Sequence, residues 1–170
     1  LEYSKDNLSA FLQASVSNQS HQRFDYYDYL PQLTDSEKVN NIGYNFKAGG
    51  SYIINSNHSF YLNSGYYSRQ PYHDNVYLNF TNKINPNTSN EKVLGLEAGY
   101  TYKSKLITAS LNLYRTSWED RIAQGSRNAG KTDILPERSV ILFTDQGFKQ
   151  IHTGLELDFV LKPIDNLDIK

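Results

Sequence analysis

Residues 93 to 113 read Val-Leu-Gly-Leu-Glu-Ala-Gly-Tyr-Thr-Tyr-Lys-Ser-Lys-Leu-Ile-Thr-Ala-Ser-Leu-Asn-Leu. On both sides of Lys103-Ser104-Lys105 the apolar residues return at every second position. Leu94, Leu96, Ala98, Tyr100 and Tyr102 precede it; Ile107, Ala109, Leu111 and Leu113 follow it. Side chains of a strand alternate between two faces, whereas a helix repeats near 3.6. The stretch is therefore an antiparallel hairpin with one apolar and one polar face, closed by a short polar turn. The same period continues outward. Leu8, Ala10, Leu12, Ala14 and Val16 form one row, and Ile42, Tyr44, Phe46, Ala48, Gly50, Tyr52 and Ile54 a second. Phe60, Leu62 and Tyr66 form a third, and Leu155, Leu157, Phe159 and Leu161 another. A last strand begins at Leu167-Asp168-Ile169, so the pattern predicts an all-β chain of about seven strands.

The connections carry more information than the strands. Asn55-Ser56-Asn57-His58, Lys103-Ser104-Lys105 and Pro163-Ile164-Asp165-Asn166 are short and polar, and Tyr3-Ser4-Lys5-Asp6-Asn7 reads as a fourth such turn. Residues 18–41, 68–91 and 118–150 read as long connections. Strict alternation places every short turn on one rim of an antiparallel sheet and every long loop on the other. That asymmetry marks an up-and-down transmembrane β-barrel, with lipid on one face and water or a plug on the other. Closure of such a barrel satisfies the backbone amides that an open edge would expose to hydrocarbon. The 14 tyrosines then have a place in two interfacial belts. Tyr44, Tyr66, Tyr67 and Tyr114 fall near the long-loop rim, and Tyr52, Phe60, Tyr100, Tyr102 and Phe159 near the short-turn rim, with Trp118 as an anchor at a strand exit. Lys47, Glu97, Glu156 and Asp158 share the polar face and are expected to look into the lumen.

A soluble β-sandwich produces the same alternation. Its core face would be richer in Val, Ile and Phe than Ala48, Gly50, Ala98 and Ala109 allow, and its solvent face rarely carries a mix such as Gly43, Gly49, Gly95 and Gly99. The barrel is the better account. The sandwich, as a secreted glycan-binding module, is the competing one.

Composition narrows the functions. The 170 residues carry a net charge of −1 and neither cysteine nor methionine. The longest apolar run, Val140-Ile141-Leu142-Phe143, falls far short of the ~18 residues of a spanning helix. The opening Leu1-Glu2-Tyr3-Ser4-Lys5-Asp6 has neither the basic start nor the apolar core of a signal peptide. No basic stripe points to nucleic acid, and thiolate metal sites are excluded. Gly125-Ser126 and Gly50-Ser51 do not form a strand-to-helix nucleophile elbow, so no catalytic residue and no cofactor is assigned. His73-Asp74 are adjacent, and adjacent side chains of an extended chain diverge, so no metal site is assigned either. His21, His58 and His152 are scattered rim residues, and Arg121, Arg127 and Lys131 are too spread to define an anion site. Arg23-Phe24-Asp25-Tyr26-Tyr27-Asp28-Tyr29 alternates rings and carboxylates. It reads either as a stacking surface for a ligand or as the belt continuing along an ordered strand extension. Tyr26, Tyr27, Tyr29, Tyr72 and Tyr77, with Phe80, are the candidate ligand contacts.

Asn85-Pro86-Asn87-Thr88-Ser89-Asn90-Glu91-Lys92, running into Gly95-Leu96-Glu97-Ala98-Gly99-Tyr100, resembles a recurrent stretch of TonB-dependent outer-membrane receptors. Leu111 to Arg121, with its aromatic-x-Asp-Arg exit at Trp118-Glu119-Asp120-Arg121, is similar to the strand that follows there. Gly49-Gly50-Ser51-Tyr52 through Gly65-Tyr66-Tyr67-Ser68-Arg69 and His152-Thr153-Gly154-Leu155-Glu156-Leu157 resemble further hairpin and strand segments of that family. Thr88 and Asn90 stand where many members carry leucine and a second proline. The resemblance implies a 22-stranded barrel in the bacterial outer membrane, closed by an N-terminal plug. It also implies energy-coupled uptake, through the TonB complex, of a bound small molecule or glycan such as an iron chelate, cobalamin or an oligosaccharide. On this reading residues 1–170 are a partial barrel, truncated at both ends and without the plug. Its partners are outer-membrane lipid, the plug and the remaining strands. A passive porin-like barrel shares the fold without the plug.

Overall fold

The computed structural model describes residues 1–129, 140–164 and 167–169. In them eight strands form one sheet in chain order: β1 Glu2–Lys5, β2 Leu8–His21, β3 Val39–Asn55, β4 His58–Arg69, β5 Glu91–Lys103, β6 Ile107–Asn128, β7 Val140–Ile164 and β8 Leu167–Ile169. Every neighbouring pair is antiparallel. A single helical turn, α1 at His73–Val76, interrupts the second long connection. The first turn is tighter than the sequence suggests. Tyr3 and Ser4 pair with Ala10 and Ser9 within β1, leaving Asp6 to turn the chain at a φ of 50°, a left-handed conformation that aspartate tolerates better than most residues. Asp165 and Asn166 of the last expected turn, and Lys131, lie outside the described residues.

The register aligns the apolar rows across strands. Ala10, Gly50, Leu62, Ala98, Leu113 and Leu155 form one rung, and Leu8, Tyr52, Phe60, Tyr100, Leu111 and Leu157 the next. A slip of one residue between any two strands would turn one row to the opposite face, so the shared face fixes the register. Among the described residues nothing packs on it: Leu62, Leu155 and Leu157 are 58%, 63% and 69% exposed. Val76, Tyr77, Val93 and Ile141 are the buried hydrophobics among the described residues, and none lies in those rungs. A sandwich would bury this face against a second sheet. The fold is instead an unclosed segment of an antiparallel up-and-down β-barrel, and a continuous apolar surface of this extent needs lipid.

The opposite face is levelled by glycine. Gly49, Gly99 and Gly154 stand directly across from Phe11, Tyr61 and Tyr114, and each ring lies where a Cβ on the glycine would sit. Such pairing lets a large ring cover the bare backbone and lie along the sheet. It also corrects the expected belt. Tyr114, and Tyr67 over Gly65, belong to the polar face and not to the apolar one.

The third connection also differs from expectation. Pairing continues past Trp118 and Gln150, through a bulge at Arg121 and Phe148, and on to Asn128 and Val140. Asp120 and Gly147 at the bulge take φ values of 54° and 100°, a local irregularity that bends paired strands. Most of residues 118–150 is thus a two-stranded ribbon rising beyond the rim. Beyond the lipid no apolar face is required, so the alternation fades while backbone pairing persists.

Candidate functional site

Lys47, Glu97, Glu156 and Asp158 all stand on the polar face. Tyr61 donates its hydroxyl proton to Glu97 Oε1 at 2.7 Å and lies 3.0 Å from Asn112 Oδ1, and Asn112 pairs with Glu156 in the next strand. Lys47 Nζ sits 5.5 Å from the centre of the Tyr67 ring, within cation–π range. Lys47, Tyr67, Glu97, Tyr114 and Glu156 line one open depression of ≈ 550 Å³. Asp158, opposite Ser110, lies outside it, nearer the short turns. The depression combines carboxylates, phenols and one ammonium with no nucleophile–base pair. Its chemistry is hydrogen bonding to a polar surface or solute.

On the apolar face, Tyr44 and Tyr66 stack at 6.2 Å and 25°, and Tyr52 meets Phe60 at 6.1 Å. Tyr100 and Tyr102 gather around His58, with centroids 5.9 and 5.0 Å from its ring. Phe159 shares that face opposite Ala109. Trp118 does not. It pairs with Val93 and Gln150 on the other face, its ring 5.3 Å from the Arg121 guanidinium.

Beyond the long-loop rim, residues 22–38 and 70–90 fold onto each other and onto the ribbon. The first of these is no strand extension. Phe24 bridges Asp35, and Pro31–Leu33 make one 3-10 turn. The buried Asp25 organises the segment: its Oδ1 accepts the Tyr27 and Asp28 amides at 3.0 and 2.9 Å, and its Oδ2 takes Arg23 at 2.8 Å. The Asp28 amide, with help from Tyr27 and Arg23 and against the effect of burial, holds the carboxyl below its ordinary range. Asn82 clips the two connections together, donating to the carbonyls of Leu33 at 3.1 Å and Thr34 at 2.9 Å. Tyr29 Oη accepts the Asn82 amide at 3.0 Å. Gln146 of the ribbon grips Ser89 on both sides, accepting its amide at 2.9 Å and donating to its carbonyl at 3.0 Å.

These contacts sort the candidate tyrosines. Tyr26, Tyr27 and Tyr72 are exposed, Tyr27 almost completely at 98%, and Tyr72 lies under the Arg69 guanidinium at 4.6 Å. Tyr29 is partly covered and serves the clip. Tyr77 is buried, its hydroxyl 3.0 Å from the His21 carbonyl and 2.9 Å from that of Glu37. It is a pillar under the loops and offers no surface to a ligand.

Sequence reasoning missed one pair. His21, at the end of β2, and His73, at the start of α1, face each other with Nδ1 atoms 3.3 Å apart. They are far apart in the chain, one closing a strand and the other opening a helical turn, so no local spacing could reveal them. Burial, and then the neighbouring His73, lower the pKa of His21. Asp74, the expected neighbour of His73, takes no part in that contact.

A family model described as TonB dependent receptor-like, beta-barrel, matches residues 3–166, which include all of β2 to β7. A search of the curated proteins found no match.

Proposed function

Because the chain belongs to the TonB-dependent receptor β-barrel family, we propose that it forms part of the wall of an energy-coupled importer in the bacterial outer membrane. The observation that carries this reading is the single apolar face shared by consecutive strands, with short turns on one rim and long, mutually tied loops on the other. Lipid covers the apolar face. Lys47, Glu97, Glu156 and Asp158 look inward toward water and a plug formed by another part of the protein. Tyr26, Tyr27 and Tyr72 meet the incoming substrate outside the cell, where ring faces stack and hydroxyls bond. The substrate is an iron chelate, cobalamin or an oligosaccharide, moved by energy delivered through TonB.

The test is uptake by the full-length receptor in paired strains with and without TonB, offering each of the three substrate classes. Import of one class that disappears without TonB supports the proposal. Import that persists without TonB identifies a passive barrel and overturns it.

A further inference from the structure

The histidine pair is a site in its own right. His21 is 5% exposed, and its Nε2 has no hydrogen-bond partner among the described residues. Its one satisfied ring nitrogen, Nδ1, points to Nδ1 of His73 at 3.3 Å, with ring centroids 5.4 Å apart. Two nitrogens each ~2.0–2.1 Å from a tetrahedral ion stand about 3.3–3.4 Å from one another, so the rings already have the spacing of two ligands on one metal. We propose that His21 and His73 bind a divalent transition ion of the imidazole-preferring class, Zn²⁺ or Cu²⁺, on the outer side of the barrel.

Two features support the site. Tyr77 fixes the positions from below, with its ring 5.4 Å from that of His73 and its hydroxyl on the carbonyl of His21. A supported ligand pair loses little freedom when the ion arrives. His73 is exposed, which gives the ion a path from solvent and leaves its remaining positions to water. The described residues bring no third histidine, cysteine or carboxylate into the cluster, so an all-oxygen cage for Ca²⁺ or Mg²⁺ is not the chemistry on offer. The inference concerns the loops alone and does not depend on the transport reading.

The experiment uses the full-length receptor in detergent, titrated with Zn²⁺ by calorimetry. Cu²⁺-loaded samples are read by electron paramagnetic resonance for nitrogen ligands. The variants are His21→Asn, His73→Gln and the double replacement. The expected result is one high-affinity equivalent, weakened at least about tenfold by either single change and abolished by both, with a two-imidazole Cu²⁺ signal that the double variant loses. Mg²⁺ and Ca²⁺ should not compete. His73→Gln sits at an exposed position and keeps a hydrogen-bonding side chain, so it tests the ligand role even where His21→Asn disturbs folding. Absence of Zn²⁺ binding in the unaltered receptor, or binding that His73→Gln leaves unchanged, shows that the pair is only a hydrogen bond between loops and overturns the proposal.

Discussion

The membrane-spanning sheet and the loop cluster above it are held by different physics. In the sheet, Leu62, Leu155 and Leu157 are left bare, and order comes from the backbone ladder and from lipid. In the cluster the burial is local and polar: Val76 and Tyr77 are enclosed, while Asp25, Asn82 and Gln146 bind backbone groups that no strand can satisfy. Damage to the sheet should therefore be global and depend on the face. Damage to the loops should stay where it is made.

The sharpest test of this contrast compares neighbours on opposite faces. Leu62→Arg places a cation on the lipid face in mid-strand and should cost about 2–4 kcal/mol. Asn63→Arg, one residue on, should change stability by about 0.5 kcal/mol or less. Urea unfolding of the full-length protein from phospholipid vesicles measures both, and equal losses would mean that the two faces see the same solvent. Next in size is Gly99→Val. A side chain there collides with the Tyr61 ring and, as an overpacking change, should cost about 1–3 kcal/mol. The same substitution in a Tyr61→Ser background should recover most of that, and additive losses would show that ring and glycine are independent.

Effects in the loops should be smaller and confined. Asn82→Ala removes two donated bonds to backbone carbonyls, about 1–2 kcal/mol of local stability. Hydrogen exchange in residues 22–38 and 70–90 should quicken, while exchange in β3 to β6 stays as it was. The smallest effect is acid loosening at Asp25. Its folded pKa lies below the unfolded value, so its contribution is present above the ordinary carboxylate range and lost as pH falls through the depressed value. Cleavage of segment 22–38 by an acid protease should rise toward low pH, and Asp25→Asn should flatten that rise. A pH profile unaltered by the substitution would remove Asp25 as the organiser.

The strands were legible in the sequence because lipid imposes a rule on every second residue. The row from Leu94 to Tyr102 and the row from Ile107 to Leu113 announce their hairpin without help from any neighbour. Where the rule lapses, legibility lapses too. Trp118 to Asn128 and Val140 to Gln150 are strands whose sequence carries no steady alternation, because they pair beyond the membrane. Tyr114 and Trp118 look like belt residues by type, but the parity of their pairing puts both on the polar face. The Arg23–Tyr29 alternation suggested either a recognition surface or a strand extension of the belt, and the structure turns Asp25 inward as a turn organiser while leaving Tyr26 and Tyr27 outside.

By itself, then, the sequence determined the architecture: an all-β segment with one apolar face, its short and long rims, and a likeness to receptor barrels that the family match bears out. Those features are periodic and local, so a single chain read in order contains them. The tertiary structure decided which glycine each ring covers, that Tyr77 is a pillar and not a contact, and that His21 meets His73. Each of these depends on residues far apart in the chain arriving at one place, and only strand register and loop packing set that distance.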